Sequence, residues 1–311
     1  GDKAKDKVIR YVPHGLNHKI YRPLENTEEL KQVEEMKYKL FGKDEVDFVL
    51  FFNSRNIRRK QIPDTMWAFK MFLDSLPKDK ADKCRLLLHT EISHEAGTDL
   101  EAVRELLFEE KYPNAVVFDQ QKWSTPELNL LYNIADAQIL LTSNEGWGLT
   151  LTEAMLAGTP IIANVTGGMQ DQMRFEDENC DWFIPSPETP SNNSGKYKKH
   201  GSWAFPVYPV CRSIQGSPIT PYIWDDRCKP EDATEQIREL YDLGHDARKM
   251  LGLQGRKWAL GSEAGFTAEH QGARVIEALD NLFNTWEPRE VFEVIDTDGD
   301  FRKVQTHNLV Y

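Results

Sequence analysis

Glu145 and Glu153 stand in the run Ser143-Asn144-Glu145-Gly146-Trp147-Gly148-Leu149-Thr150-Leu151-Thr152-Glu153-Ala154-Met155. Ionised carboxylates flanking a turn accept hydrogen bonds from vicinal hydroxyls, so the pair suits a polyhydroxyl ligand such as a sugar or a ribose. Gly146 and Gly148 let the backbone come close to such a ligand. The run follows an apolar stretch and enters a helical one, where free N–H groups at a helix start favour negative charge. The pair alone also fits a solvated loop acid at Glu145 and a Glu153 that merely complements a helix N-terminus.

A second group, Asn53-Ser54-Arg55-Asn56-Ile57-Arg58-Arg59-Lys60, is basic where the rest of the chain is acidic. A guanidinium fork at Arg55 and an ammonium at Lys60 would suit a small phosphate ligand. Arg59 is placed to share the work of Lys60. A basic loop facing solvent is the plainer reading. Further on, Asn164-Val165-Thr166-Gly167-Gly168-Met169-Gln170-Asp171 carries a diglycine, which fits either ligand approach at Gly167 and Gly168 or a tight turn. His14, in Tyr11-Val12-Pro13-His14-Gly15-Leu16-Asn17, is a loop histidine with either a site role or none.

These groups need a frame. Apolar runs at 48–52, 85–88, 116–118, 139–141 and 161–163 read as five buried strands. Amphipathic stretches separate them. One runs from Thr65 to the stop at Pro77 with Met66, Phe69, Leu73 and Leu76 on one face, and another spans Leu100 to Lys111. A third opens at Ser124-Thr125-Pro126-Glu127 with a capping hydroxyl and an early proline, and a fourth, Thr150 to Ala157, closes at Gly158-Thr159-Pro160. The alternation predicts an α/β doubly wound parallel sheet, whose ligands bind beyond the carboxyl ends of the strands. Residues 185–222 read as a long insertion rich in Pro, Ser, Asn, Gly and aromatics. Helical patterning returns at Pro230–Leu243, Ala247–Leu260 and Thr267–Trp286, and Glu290–Tyr311 reads as two strands around Asp298-Gly299-Asp300. A calcium-loop reading of Asp296-Thr297-Asp298-Gly299-Asp300 fails, because Phe301 and His307 stand where an EF-hand needs Gly and Glu.

The Glu145–Pro160 stretch resembles glycosyltransferase family 4 and its relatives, whose signature is Ser-x-x-Glu-Gly-Phe-Gly-Leu-x-x-x-Glu-Ala-x-x-x-Gly-x-Pro. Trp147 takes the aromatic place, and Gly158 and Pro160 the close. Arg55 and Lys60 take the places of the family's Gly-Arg-x-x-x-x-Lys clamp, with Ser54 in place of Gly, and Asp171 follows the Gly-Gly loop where Glu is commoner. The resemblance implies a Rossmann-like donor half of a retaining, two-domain GT-B enzyme. Glu145 would contact hydroxyls of the transferred sugar and Glu153 the ribose. The backbone at Gly146, Trp147, Gly148 and Leu149 would face the sugar or diphosphate, and the 117–123 loop the base. Residues 1–22, with the Pro-x-Gly segment at Pro13–Gly15, would be the crossing from an acceptor domain. Residues 23–286 would form the nucleotide-sugar-binding domain, interrupted at 185–222, and 287–311 a C-terminal extension. Barely ten residues precede the crossing, so a missing N-terminal acceptor domain or a partner chain is expected to supply the other half.

Composition narrows the classes. Fifty acidic against 38 basic residues, a formal net charge of −12, disfavour nucleic acid as a partner. Cys84, Cys180, Cys211 and Cys228 form no CxxC pair, so neither a zinc site nor a disulfide framework is expected. No run is long and apolar enough for a transmembrane segment, and a cytoplasmic location is expected. The expected partners are a nucleoside-diphosphate sugar and an unknown acceptor, with no cofactor and no metal. A nucleotide-sugar 2-epimerase of the same fold, or a non-catalytic module binding nucleotide sugar or carbohydrate, are the alternatives.

Overall fold

The computed structural model describes residues 8–186, 189–216 and 218–287, and the backbone at 294–295 and 301–302. Two compact units divide at Gln271 and Gly272. In the first, α1 (Thr27–Phe41) precedes β1 (Phe48–Asn53), α2 (Ile62–Asp74), α3 (Lys78–Ala81), β2 (Cys84–His89), α4 (Leu100–Phe108) and β3 (Val116–Asp119). There follow α5 (Thr125–Ile134), β4 (Ala137–Leu140), α6 (Leu149–Ala157), β5 (Ile161–Asn164) and α7 (Gly168–Asp171). Then come β6 (Ala204–Val207), β7 (Cys211–Gln215), β8 (Ile223–Arg227), α8 (Pro230–Asp242) and α9 (His245–Leu260). Helix α10 (Ala268–Thr285) runs across the division, and β9 (Val294–Ile295) pairs antiparallel with β10 (Phe301–Arg302) in the second unit. Residues 296–300, where the hairpin turn was expected, lie outside the described residues.

The main sheet is parallel in the order β3-β2-β1-β4-β5-β6. Apolar side chains on both faces of β1, with Phe48 through Phe52 buried, place it in the middle, since only a sheet covered on both sides accommodates such a run. Chain order reverses between β1 and β4, so the loops leaving these two strands diverge and open a crevice at their carboxyl ends. The expected α/β doubly wound sheet is the observed one, with six strands where five were read. The sixth, β6, comes from within 185–222, so that segment is not a mere insertion: it extends the sheet and then turns back as the β7–β8 ribbon. Its short run Ala204-Phe205-Pro206-Val207 is punctuated by a proline, which an edge strand tolerates because one side of it has no ladder to serve.

Local chemistry explains the helix ends. Asn26 and Glu29 form a capping box on α1, Ser124 and Glu127 one on α5 with Pro126 in its first turn, and Asp99 caps α4. Gly158 ends α6 in a left-handed conformation at φ 83°. The aromatics of the middle segment build a local core. Trp203 stacks on Trp258 at 5.0 Å, and Trp182 meets Trp258 edge-on at 5.3 Å.

Candidate functional site

The loop after β1 turns through a short 3₁₀ helix, Arg58–Lys60, and docks on the end of β4. The carbonyl of Arg59 accepts hydrogen bonds from the Ser143 N–H at 2.9 Å and the Thr142 hydroxyl at 2.9 Å. This docking brings the two sequence-distant groups together. The Arg59 guanidinium donates to the Asn144 carbonyl at 2.6 Å and to the Glu145 carboxylate at 3.0 Å, and the Lys60 ammonium donates to the same carboxylate oxygen. Lys60 and Glu145 are largely buried, with side chains 10% and 14% exposed, so little water screens the pair. Burial works to raise the Glu145 carboxyl, but the hydrogen bond and charge of Lys60, with Arg59 behind it, hold it below the ordinary range. Burial likewise lowers the Lys60 ammonium against the opposing pull of Glu145. Arg55 is exposed, and among the described residues no ion pair engages it.

Past Glu145 the backbone is open. A Cβ on Gly146 would meet nothing within 4 Å, and Gly148 starts α6 in a left-handed conformation at φ 85°. The N–H groups at this helix start lack intrahelical partners by construction. The Trp147 side chain belongs to the core. Its indole N–H donates to Thr152 Oγ1 at 2.9 Å, its ring meets Phe266 edge-on at 5.1 Å, and its carbonyl accepts from Gln172 Nε2 at 2.6 Å. His14 lies with its ring 5.9 Å from that of Trp147, so the Pro13–Gly15 segment does reach this rim.

The diglycine packs against the Glu145 loop. A Cβ on Gly167 would fall 1.9 Å from the Glu145 carbonyl oxygen, and one on Gly168 2.4 Å from that of Gly146. Gly167 also has φ 53°. Both glycines are therefore required for the loop to sit where it does, a role the turn-or-ligand reading of the sequence did not include.

Glu153 faces a different environment. It accepts from the Tyr21 hydroxyl at 3.0 Å and from the Tyr132 hydroxyl, which itself accepts from Asn53 Nδ2 at 3.0 Å. Burial raises the Glu153 carboxyl, against the lowering effect of the two phenols and the nearby His89. Neither tyrosine carries a sequence signal for this role, because their meeting depends on the chain at Tyr21 and Arg22 packing across α5. At the ends of β2 and β3, His89 Nδ1 lies 2.9 Å from Asp119, which also accepts from the Trp123 indole at 2.5 Å, so the 117–123 loop borders the same edge.

Residues 41–190, which hold the site apart from His14 and Tyr21, match the family described as glycosyl transferases group 1. Within and around this group 1 region the chain is 30% identical over 188 residues to D-inositol 3-phosphate glycosyltransferase of Geodermatophilus obscurus, covering 56% of this chain and 38% of that protein. It is 30% identical over 171 residues to alpha-monoglucosyldiacylglycerol synthase of Acholeplasma laidlawii, 51% of this chain and 39% of that one. Among solved structures, sucrose-phosphate synthase from Thermosynechococcus elongatus superposes with a TM-score of 0.60 at 19% identity, over 89% of this chain and 53% of that chain. Anabaena Alr3699/HepE in complex with UDP does so at 0.57 and 14%, over 86% and 56%. These structures share the GT-B fold with the group 1 region, and the chain spans well under half the length of the two curated relatives.

Proposed function

We propose that this chain is the donor half of a retaining glycosyltransferase, which binds a nucleoside-diphosphate sugar at the β1/β4 crevice for transfer to an acceptor. The observation that carries the proposal is the convergence of Lys60, Arg59 and Glu145 at the switch point of the sheet, beside the open space at Gly146. The crystal structures of Alr3699/HepE with UDP and with UDP-glucose support a nucleotide sugar as the ligand, and make UDP the first nucleotide to try.

On this reading Arg55 and Lys60 hold the diphosphate, Glu145 orients hydroxyls of the transferred sugar, and the start of α6 adds backbone N–H groups. His14 lines the rim. Glu153 takes the ribose: its two phenol contacts occupy about two of the roughly four acceptor positions of a carboxylate. In transfer, the bond between the anomeric carbon and the diphosphate oxygen breaks, and its electron pair leaves with the diphosphate. The acceptor oxygen bonds to the same face of the anomeric carbon and passes its proton to the departing diphosphate oxygen, giving retention. A short-lived oxocarbenium-like ion pair, shielded by the leaving group, connects the two events. Lys60 and Arg55 stabilise the charge that builds on the diphosphate, which is where preorganised cations lower a barrier. A second domain or a partner chain presents the acceptor.

Calorimetric titration with UDP, GDP, ADP and their sugars tests this. Saturable binding of one nucleotide is expected, weakened about tenfold by Arg55→Ala, the loss of one charge-assisted contact. A folded chain that binds none of them ends the proposal.

A further inference from the structure

The β7–β8 ribbon lies outside the motifs considered so far, yet one of its residues grips the Glu145 loop from two sides. Asp226 is fully buried. Its N–H donates to the Ser143 carbonyl at 2.8 Å, two residues before Glu145, and its own carbonyl accepts from Asn164 Nδ2 at 2.6 Å. Its carboxylate accepts from the Thr166 hydroxyl at 2.8 Å and from Asn192 Nδ2 at 2.6 Å, with Arg212 Nε at 3.5 Å. Thr166 leads directly into Gly167, whose Cα presses on the Glu145 carbonyl. One residue thus joins the end of β4 through its backbone, and the end of β5, the 191–193 segment and the ribbon through its side chain.

A carboxylate buried to this degree is costly unless several donors hold it, and donors that hold it are in turn held in place. The geometry points to Asp226 as a positioning residue for the donor site: it braces the Glu145 loop against the diglycine so that the carboxylate of Glu145 meets the sugar. This deepens the donor-site reading and rests on it for the ligand, although the brace itself does not. An amide at this position keeps an oxygen for Asn192 but turns an N–H toward Thr166, so the Thr166 hydroxyl must accept instead of donate, and the charge opposite Arg212 is lost.

The brace has a signature that general loss of stability lacks. Because Glu145 is assigned to the sugar and Arg55 and Lys60 to the diphosphate, Asp226→Asn should weaken UDP-glucose binding about tenfold, toward the affinity of UDP, while UDP itself changes less than twofold. Amide hydrogen exchange should rise in peptides covering 143–151 and 164–170 and stay as in the wild type across β1 to β3. Thr166→Val removes one donor and keeps the shape, so it carries the same two readouts if the Asn variant does not fold. Equal weakening of UDP and UDP-glucose, or unchanged exchange in both peptides, overturns the brace. If the wild type binds neither nucleotide, the donor reading falls, and the exchange result alone decides whether Asp226 holds the loop.

Discussion

At the scale of single residues, the Lys60–Glu145 pair and Asp171 make opposite use of burial. Lys60 and Glu145 compensate each other, so removing one leaves the other charged and largely dry. Lys60→Ala is expected to cost about 2–3 kcal/mol in denaturant unfolding, and adding Glu145→Gln to it should recover part of that loss. Strictly additive single and double variants would refute the coupling. Among the described residues no cation pairs with Asp171. Burial pushes its carboxyl up to about 7, with the Tyr11 hydroxyl at 3.2 Å the main opposing influence. A carboxyl whose folded pKa lies above its unfolded value favours the fold at low pH, and that contribution is lost as pH rises through the folded pKa. This one carboxyl should therefore take away stability between about pH 4 and pH 7, on the order of 4 kcal/mol. Asp171→Asn should flatten that slope, and parallel stability curves for the two proteins would show that Asp171 titrates normally. These residue types and spacings were open to reading in the sequence for Glu145, Arg55 and Lys60, because a charge cluster near glycines is a local pattern. The phenols of Tyr21 and Tyr132 on Glu153 were not, since their sequence separations from it, 132 and 21 residues, put no local constraint on the meeting.

At the scale of elements, two neighbouring glycine sites should respond to alanine in contrasting ways. Gly146 has open space around its missing side chain, so Gly146→Ala should change the unfolding free energy by less than about 0.5 kcal/mol. If the donor backbone approach is as proposed, the same methyl group should weaken nucleotide-sugar binding severalfold. Gly167→Ala combines a positive φ with a backbone oxygen 1.9 Å from the new carbon, and should cost on the order of 2–3 kcal/mol. Thermal unfolding together with calorimetry separates the pair: stable but weak binding for the first, loss of stability for the second. Equal thermal midpoints for both variants would mean that the diglycine does not carry the loop. The elements themselves were legible where burial and period agree, as in β1, α2 and α6. Strand β6 escaped because four residues with a central proline look like loop, and its status as a strand depends on β5 offering it a free edge.

At the scale of the molecule, ligand binding and folding are linked for the first unit, because the crevice joins loops from β1, β4 and β5 and exists in the folded chain alone. A nucleotide at about 100 times its dissociation constant adds roughly 2.7 kcal/mol of stability. For a unit of this size that should raise the thermal midpoint by about 5–10 °C, measured by scanning calorimetry. No shift with a nucleotide that calorimetric titration shows to bind would mean that binding leaves this unit's cooperative core untouched. The four free cysteines take no part in a disulfide among the described residues, and no helix described there is long and apolar enough to cross a membrane.

What the sequence determined by itself is the local grammar: which runs are buried strands, where α5 starts and where α6 stops, and which acids and bases lie at strand ends. These follow from periodicity, capping and glycine conformation, each set within a few residues. What the tertiary structure alone decided is the company each group keeps. Lys60 reaches Glu145 across 85 residues, Gly167 supports Glu145 through a contact that leaves no room for a side chain, and Asp226 ties the ribbon to both. Such meetings depend on the order of strands in the sheet, and that order is fixed by packing the first unit around its core rather than by any short stretch of it.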